Sequence, residues 1–141
     1  MEIRIADITY SSKIAHFFEE NLCRQNDAIY SEEFFCKDGV WAAITRKQVL
    51  IAMDEHELVG AMRFYRRKTN DCISLYQFAI NKQHRGDRIL NKMLRFSNDV
   101  PVKVKCPIQS SFNRYYKKTG WSLIETDSKY NHWVFNHPVL V

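Results

Sequence analysis

The chain contains few residues that interrupt a fold and no long apolar run. With four glycines and three prolines among 141 residues, we expect no long flexible linker. No apolar stretch reaches the length that a bilayer requires, and Met1 leads directly into an alternating strand pattern rather than a signal peptide. These absences predict a soluble, cytoplasmic protein that does not enter a membrane.

Cysteine and histidine occur without the spacings that hold metals. The four cysteines, Cys23, Cys36, Cys72 and Cys106, form no C-x-x-C pair, and the five histidines form no H-x-x-x-H pair. Zinc sites and disulfide frameworks depend on such recurring spacings. We therefore expect no metal site, and free thiols that are buried or half-buried.

The composition predicts one folded domain over residues 1–141. Hydrophobic residues make up 45% of the chain and aromatic residues 13%, which excludes a disordered chain and supplies a real core. The formal net charge is +5. This surplus suits an anionic cofactor, a nucleic acid or simple solubility, and it does not choose among them.

The apolar pattern predicts a mixed α/β sheet with the order βααβββαβαββ. Alternating or continuous apolar runs predict strands over residues 2–6, 49–53, 58–65, 73–80, 100–106, 122–126 and 132–135. Helical spacing predicts helices that begin at Ser11 or Ser12, at Ser31, at Ile89 and at Gln109. The second of these places Phe34 and Phe35 on its buried side, and Gly120 ends the fourth.

Six residues between the fourth strand and the third helix form the most informative segment: Gln83, His84, Arg85, Gly86, Asp87 and Arg88. The first N–H groups of a helix have no partner within it and lie at its positive end. Such a turn binds phosphate when a glycine lets the main chain approach the anion. An ordinary basic turn that caps a helix remains the alternative.

This turn, together with the order of elements, resembles the GNAT superfamily of acetyl-coenzyme A-dependent N-acyltransferases. Gln83, Arg85 and Gly86 fit the family fingerprint Q/R-x-x-G-x-G/A, whereas Arg88 stands where a second small residue is usual. Residues 116–121 resemble the family segment Y-x-K-x-G-F, and residues 53–60 resemble its turn between the second and third strands. The resemblance implies a mainly antiparallel sheet of six to seven strands flanked by about four helices.

The resemblance also implies a site for acetyl-coenzyme A. The main-chain N–H groups of residues 85–89 would hold the diphosphate, and Arg85 and Arg88 could add charged contacts. Pantetheine would pair with the edge of the fourth strand if that strand and the fifth diverge. The residues implied for this site are Phe78, Ala79, Ile80, Gln83, His84, Arg85, Gly86, Asp87, Arg88, Ile89 and Gln109, the last standing where the family often has asparagine.

Two residues are implied in catalysis. Tyr116 resembles the tyrosine that protonates the departing thiolate, a role open to a phenol because its pKa keeps it protonated at neutral pH. The alternative is that Tyr116 is a half-buried aromatic residue with a structural role. Tyr115 is adjacent and could be mistaken for it. The fourth strand carries no carboxylate, so Gln77 is expected to position a water, and the general base is not identified.

The resulting hypothesis is acetyl transfer to a primary amine by direct attack in a ternary complex. Neither Cys72 nor Cys106 has a nearby His or Asp in sequence, which disfavours a covalent acyl-enzyme. The acceptor could be a small molecule or a protein amine, and pairing into a homodimer stays open. Two other functions also stay open: a nucleic-acid-directed acyltransferase or nucleic-acid-binding protein, and a catalytically silent protein that uses the fold for interaction.

Overall fold

The computed structural model describes residues 1–21, 36–67, 72–97 and 100–136. The helix predicted to begin at Ser31, with Phe34 and Phe35 on its buried side, lies outside these residues. Within them, the mixed α/β architecture is confirmed. Its elements are β1 Glu2–Ile5, α1 Ser11–Asn21, α2 Lys37–Thr45, β2 Val49–Asp54, β3 Glu57–Arg67, β4 Cys72–Ile80, α3 Ile89–Ser97, β5 Val102–Pro107, α4 Phe112–Lys118, β6 Ser122–Thr126 and β7 Tyr130–Phe135.

The seven strands form one sheet in the order β1-β2-β3-β4-β5-β7-β6. The pairing of β4 with β5 is parallel, and the other strand pairs are antiparallel. A parallel pair needs a crossover connection, which α3 supplies. The crossover leaves the turn before α3 at the end of β4, in the middle of the sheet.

Both faces of the sheet are covered, and β2 shows why the sequence requires this. Leu50 and Ala52 belong to the core beneath α3 and α4, whereas Val49 and Ile51 belong to the core beneath α1 and α2. Successive side chains of a strand point to opposite faces, so a continuous apolar run implies burial on both.

Helix α2 was not predicted from the sequence. It contains Gly39 and the β-branched Val40 and Ile44, which are weak helix formers, and Cys36 at its start makes no side-chain capping bond. Burial of Val40, Ala43 and Ile44 in the core beneath α1 stabilises the helix instead. Tertiary packing has overridden local propensity here.

Helix α4 is shorter than predicted, and the difference affects the candidate site. It begins at Phe112 rather than at Gln109. The Asn113 amide donates to the carbonyl oxygens of Pro107, Ile108 and Ser110 at 2.8–3.1 Å, which holds the preceding segment as a turn. Gln109 therefore lies in that turn and not on the helix.

Strands β4 and β5 diverge. Their pairing consists of Ile73 with Val102 and Ser74 with Lys103, although both strands continue well beyond these residues. On its other side, β4 carries an extra residue at Tyr76, because Gln77 pairs with Arg63 and Leu75 with Phe64. Such a bulge bends a strand and increases its local twist. The divergence that the family resemblance implied is therefore present.

The cysteines follow the expectation in part. Cys72 and Cys106 are buried free thiols, whereas Cys36 is exposed and Cys23 lies outside the described residues. In the part of the chain that the structure describes, no cluster of His, Cys, Asp and Glu could hold a metal ion. None of the helices there has the length and hydropathy needed to span a bilayer.

Candidate active site

The segment between β4 and α3 is an open turn and not part of a continuous helix. A 3-10 helix covers Lys82–His84, and α3 begins at Ile89. Between them the backbone enters the left-handed region twice, at Gly86 with φ 99° and at Arg88 with φ 59°. The strand-to-helix turn expected from the sequence is confirmed.

Main-chain donors collect at this turn. The first helical bond of α3 runs from the Lys92 N–H to the Arg88 carbonyl at 3.1 Å. The N–H groups of Ile89, Leu90 and Asn91 precede it, and none of the described residues accepts a hydrogen bond from them or from the N–H groups of Gly86 and Arg88. Donors at the positive end of a helix attract an anion.

Gly86 leaves room for a ligand to approach the main chain. A Cβ at this position would meet no heavy atom within 4 Å. The space is open, but a φ of 99° is one that residues with a side chain rarely adopt. Gly86 is therefore required by backbone conformation, and its lack of a side chain keeps the turn accessible.

Three side chains hold the turn in place. The Asn81 side chain accepts a hydrogen bond from the Gln83 N–H at 2.9 Å, and His84 Nε2 lies 3.4 Å from Asp54 Oδ2 at the end of β2. The Arg85 guanidinium donates to the carbonyl oxygens of Ile80 and Asn21, each at 3.4 Å. The turn is thereby tied to β4, to β2 and to the end of α1.

Close packing positions the start of α3. A Cβ on Gly60 of β3 would lie 3.0 Å from Ile89 Cγ2 and 3.2 Å from Ile80 Cδ1. The absence of a side chain at Gly60 thus lets the first residue of α3 lie directly on the sheet. The N-terminus of the helix is fixed beside the end of β4.

A cavity of about 740 Å³ opens beside the turn. Its lining includes eight of the residues implied for the cofactor site: Phe78, Ala79, Ile80, His84, Arg85, Gly86, Arg88 and Ile89. It also includes residues that the sequence reasoning missed: Asn21, Leu90, Asn91, Phe112, Tyr115, Lys118, Thr119 and Gly120. The spacing of Phe112, Tyr115 and Lys118 is that of one helical face, a signal that could have identified the α4 wall.

Aromatic rings form one wall of the cavity. The Phe78 ring centroid lies 5.9 Å from those of both Phe112 and Tyr115, and the last two lie 6.3 Å apart. Such separations are typical of packed aromatic pairs. Burial in this wall raises the pKa of the Tyr115 phenol above its ordinary value, which itself lies well above neutral pH.

Solved structures with the same architecture are numerous, although neither a protein-family model nor a curated protein matches the sequence. A PaiA N-acetyltransferase from Thermoplasma acidophilum, in complex with coenzyme A, is 18% identical with a TM-score of 0.76, over 96% of this chain and 98% of that one. The fold is that of the GNAT acetyltransferases.

Two further solved structures have the same fold. A GNAT-family acetyltransferase from Listeria monocytogenes is 14% identical with a TM-score of 0.74, over 95% of this chain and 93% of that one. A diaminobutyrate acetyltransferase from Paenibacillus lautus, in complex with L-2,4-diaminobutyric acid and coenzyme A, is 14% identical with a TM-score of 0.63, over 97% of each chain. At these identities the likeness establishes the GNAT fold.

Tyr116 lies outside the cavity lining of this GNAT fold. Its side chain is 5% exposed, and its ring packs 5.1 Å from that of Trp121 and 6.1 Å from that of Trp133. Burial raises the pKa of the Tyr116 phenol far above its usual range. The catalytic role implied for Tyr116 stays a prediction, and the cavity contains its neighbour Tyr115.

Gln77 also lies outside the lining. It is 5% exposed, and its Oε1 accepts a hydrogen bond from Arg63 Nη1 at 2.9 Å. The Arg63 guanidinium in turn lies 3.8 Å from where a Cβ on Gly39 of α2 would stand, which places this pair on the sheet face that α1 and α2 cover. The role of Gln77 in positioning a water stays a prediction.

Three other residues implied for the cofactor site are not part of the cavity wall. Gln83, Asp87 and Gln109 are exposed. Gln83 contributes its N–H to the capping contact with Asn81, and Asp87 donates its N–H to the His84 carbonyl at 3.2 Å. Their assignment to the cofactor also stays a prediction.

The charge of the lining favours an anionic ligand. Arg85, Arg88 and Lys118 contribute cations, and no Asp or Glu belongs to the part of the lining that the structure describes. A cavity that is lined by positive charges and has low-dielectric walls concentrates anions.

Substitution of Arg88 by glycine should stabilise the protein. A residue with a Cβ in the left-handed region costs about 1 kcal/mol, and Arg88 adopts that conformation at φ 59°. We expect Arg88→Gly to raise the free energy of unfolding by about 1 kcal/mol in urea titrations. The matched control is Asp87→Gly, because Asp87 has an ordinary φ and glycine there should not stabilise. An Arg88→Gly protein that is less stable than the wild type would show that the Arg88 side chain makes compensating contacts.

Proposed function

We propose that the protein is an N-acetyltransferase that transfers an acetyl group from acetyl-coenzyme A to a primary amine. The observation that carries the proposal is the set of unpartnered N–H groups of Gly86, Arg88, Ile89, Leu90 and Asn91, whose residues line the cavity beside the divergence of β4 and β5. The complexes of similar folds with coenzyme A support it.

The described residues fit this donor. The N–H groups of Gly86, Arg88 and the first turn of α3 would bind the diphosphate, where Gly86 leaves space. Residues Phe78 to Ile80, on the stretch of β4 that is not paired with β5, would pair with the amides of the pantetheine arm, as an added strand pairs with a sheet edge. Acetyl-coenzyme A supplies the thioester that the amine attacks.

The protein would act on this reaction through position and proton transfer. A neutral amine forms a bond to the thioester carbon, and a main-chain N–H of β4 would stabilise the negative charge that develops on the carbonyl oxygen. The thiolate then leaves as the C–S bond breaks. The direct route agrees with the burial of Cys72 and Cys106, which keeps both thiols from a substrate.

We propose Tyr115 as the acid that protonates the thiolate, with Tyr116 as the alternative implied by the resemblance. Tyr115 belongs to the cavity wall and Tyr116 does not. Burial raises the pKa of the Tyr115 phenol, so the phenol carries a proton that it can donate as the thiolate leaves in the same cavity, and solvent then restores that proton. Since the described lining has no carboxylate, a water would accept the proton of the amine.

Turnover with a panel of amines tests the function. We expect thiol release from acetyl-coenzyme A with at least one class among diamines, amino acids, polyamines and peptide N-termini. Gly86→Val should abolish it, because valine disfavours a φ of 99° and its side chain would fill the approach to the main chain. Circular dichroism would verify that the variant is folded.

Three results would reject this function. Failure of the wild type to bind acetyl-coenzyme A would exclude the donor. Binding without turnover on every amine class would favour the catalytically silent alternative. Retention by a nucleic acid with a steep dependence on salt, together with no amine turnover, would instead favour the nucleic-acid-directed alternative.

A pair of single-atom deletions tests the acid. Tyr115→Phe should lower kcat about 100-fold, the usual size of general-acid catalysis, while the Kd for coenzyme A changes little. Tyr116→Phe is the matched control on the same helix and should retain kcat within a few-fold. A large loss of kcat in Tyr116→Phe with normal turnover in Tyr115→Phe would assign the acid to Tyr116.

A further inference from the structure

Two cationic side chains of the cavity form no ion pair or side-chain hydrogen bond with other described residues. Arg85 also lines the cavity, but its guanidinium donates to the Ile80 and Asn21 carbonyls. Arg88 and Lys118 line the same cavity from different elements, the turn and α4, and neither forms a salt bridge or side-chain hydrogen bond among the described residues.

Arginine is unusual at position 88 because of the backbone conformation there. A φ of 59° favours glycine, so the arginine side chain is retained there against a backbone penalty. The fingerprint that the turn resembles has a small residue at this point. Backbone strain at a residue that lines a cavity motivates the hypothesis that its side chain has a function there.

The main-chain donors of the turn already match one anionic group. Five N–H groups from Gly86 to Asn91 can satisfy a diphosphate without any side chain. Arg88 and Lys118 are therefore available to a second anionic group of the same ligand. Coenzyme A has such a group, the phosphomonoester on the 3′ carbon of its ribose.

We infer that Arg88 and Lys118 together bind the 3′-phosphate and make the site select coenzyme A over dephospho-coenzyme A. The inference rests on the proposed function, since it assumes the same ligand in the same cavity. Arginine and lysine form strong charge-assisted hydrogen bonds with a phosphate dianion. Dephospho-coenzyme A lacks only that group, so it isolates the contribution of the two side chains.

Isothermal calorimetry with both ligands tests the inference directly. We expect the wild type to bind coenzyme A at least about 10-fold more tightly than dephospho-coenzyme A, as charge-assisted bonds to one phosphate imply. Arg88→Met and Lys118→Met should each weaken coenzyme A binding several-fold and leave dephospho-coenzyme A unchanged. The double variant should bind both ligands equally.

The chain offers matched controls for both positions. Lys82 belongs to the same turn as Arg88, and Lys117 is adjacent to Lys118. All four side chains are exposed, but Lys82 and Lys117 do not line the cavity. Lys82→Met and Lys117→Met remove the same charge and should retain the full preference for coenzyme A. Thermal unfolding of each variant would verify that it is folded.

Several outcomes would overturn the inference. Equal weakening of both ligands by Arg88→Met would place its guanidinium on the diphosphate. If neither substitution weakens coenzyme A binding, both side chains remain in solvent in the complex. If the control variants lose the same affinity, the effect comes from net charge alone. A wild type that acetylates amines with either donor equally well refutes this inference alone, whereas one that binds neither ligand refutes the proposed function.

Discussion

The candidate site depends on main-chain N–H groups that the fold leaves without partners. Helix α3 begins at Ile89, so its first three N–H groups have no acceptor within the helix, and the left-handed turn at Gly86 and Arg88 adds two more. Because these donors belong to the backbone, they need no side chain of a particular chemistry. A single glycine and a fixed helix start supply the donors that an anion would need.

The sheet determines where those donors point. The bulge at Tyr76 and the loss of pairing after Ser74 separate β4 from β5. The turn follows β4 at the open end of this divergence. Because Gly60 has no side chain, α3 packs directly on β3. The cavity, the unpaired stretch of β4 and the helix N-terminus therefore form one continuous site.

The sequence was informative where local chemistry decides the structure. The glycine turn, the hairpin between β2 and β3 and the strand Ser122–Thr126 have the predicted positions, because turn residues and alternating apolar residues act over a few positions. Helix α2 was missed because its residues are weak helix formers, and burial beneath α1 decides its conformation. Such long-range packing is not encoded in any short window of the sequence.

The two tyrosines show that long-range packing also decides side-chain placement within the site. Adjacent residues of a helix point about 100° apart, so a motif identifies the segment but not which side chain enters the cavity. Tyr116 packs against Trp121 and Trp133, two rings that come from beyond the helix, and Tyr115 consequently lies on the cavity side. Only the packing of distant aromatic residues distinguishes them.

Amide chemical shifts provide the most direct test of this account. In a ¹H–¹⁵N titration of the protein with coenzyme A, the amides of Gly86, Arg88, Ile89, Leu90 and Asn91 should show the largest changes, because the ligand would satisfy donors that have no acceptor among the described residues. Saturable binding that leaves these five resonances unmoved and perturbs another part of the chain would contradict it.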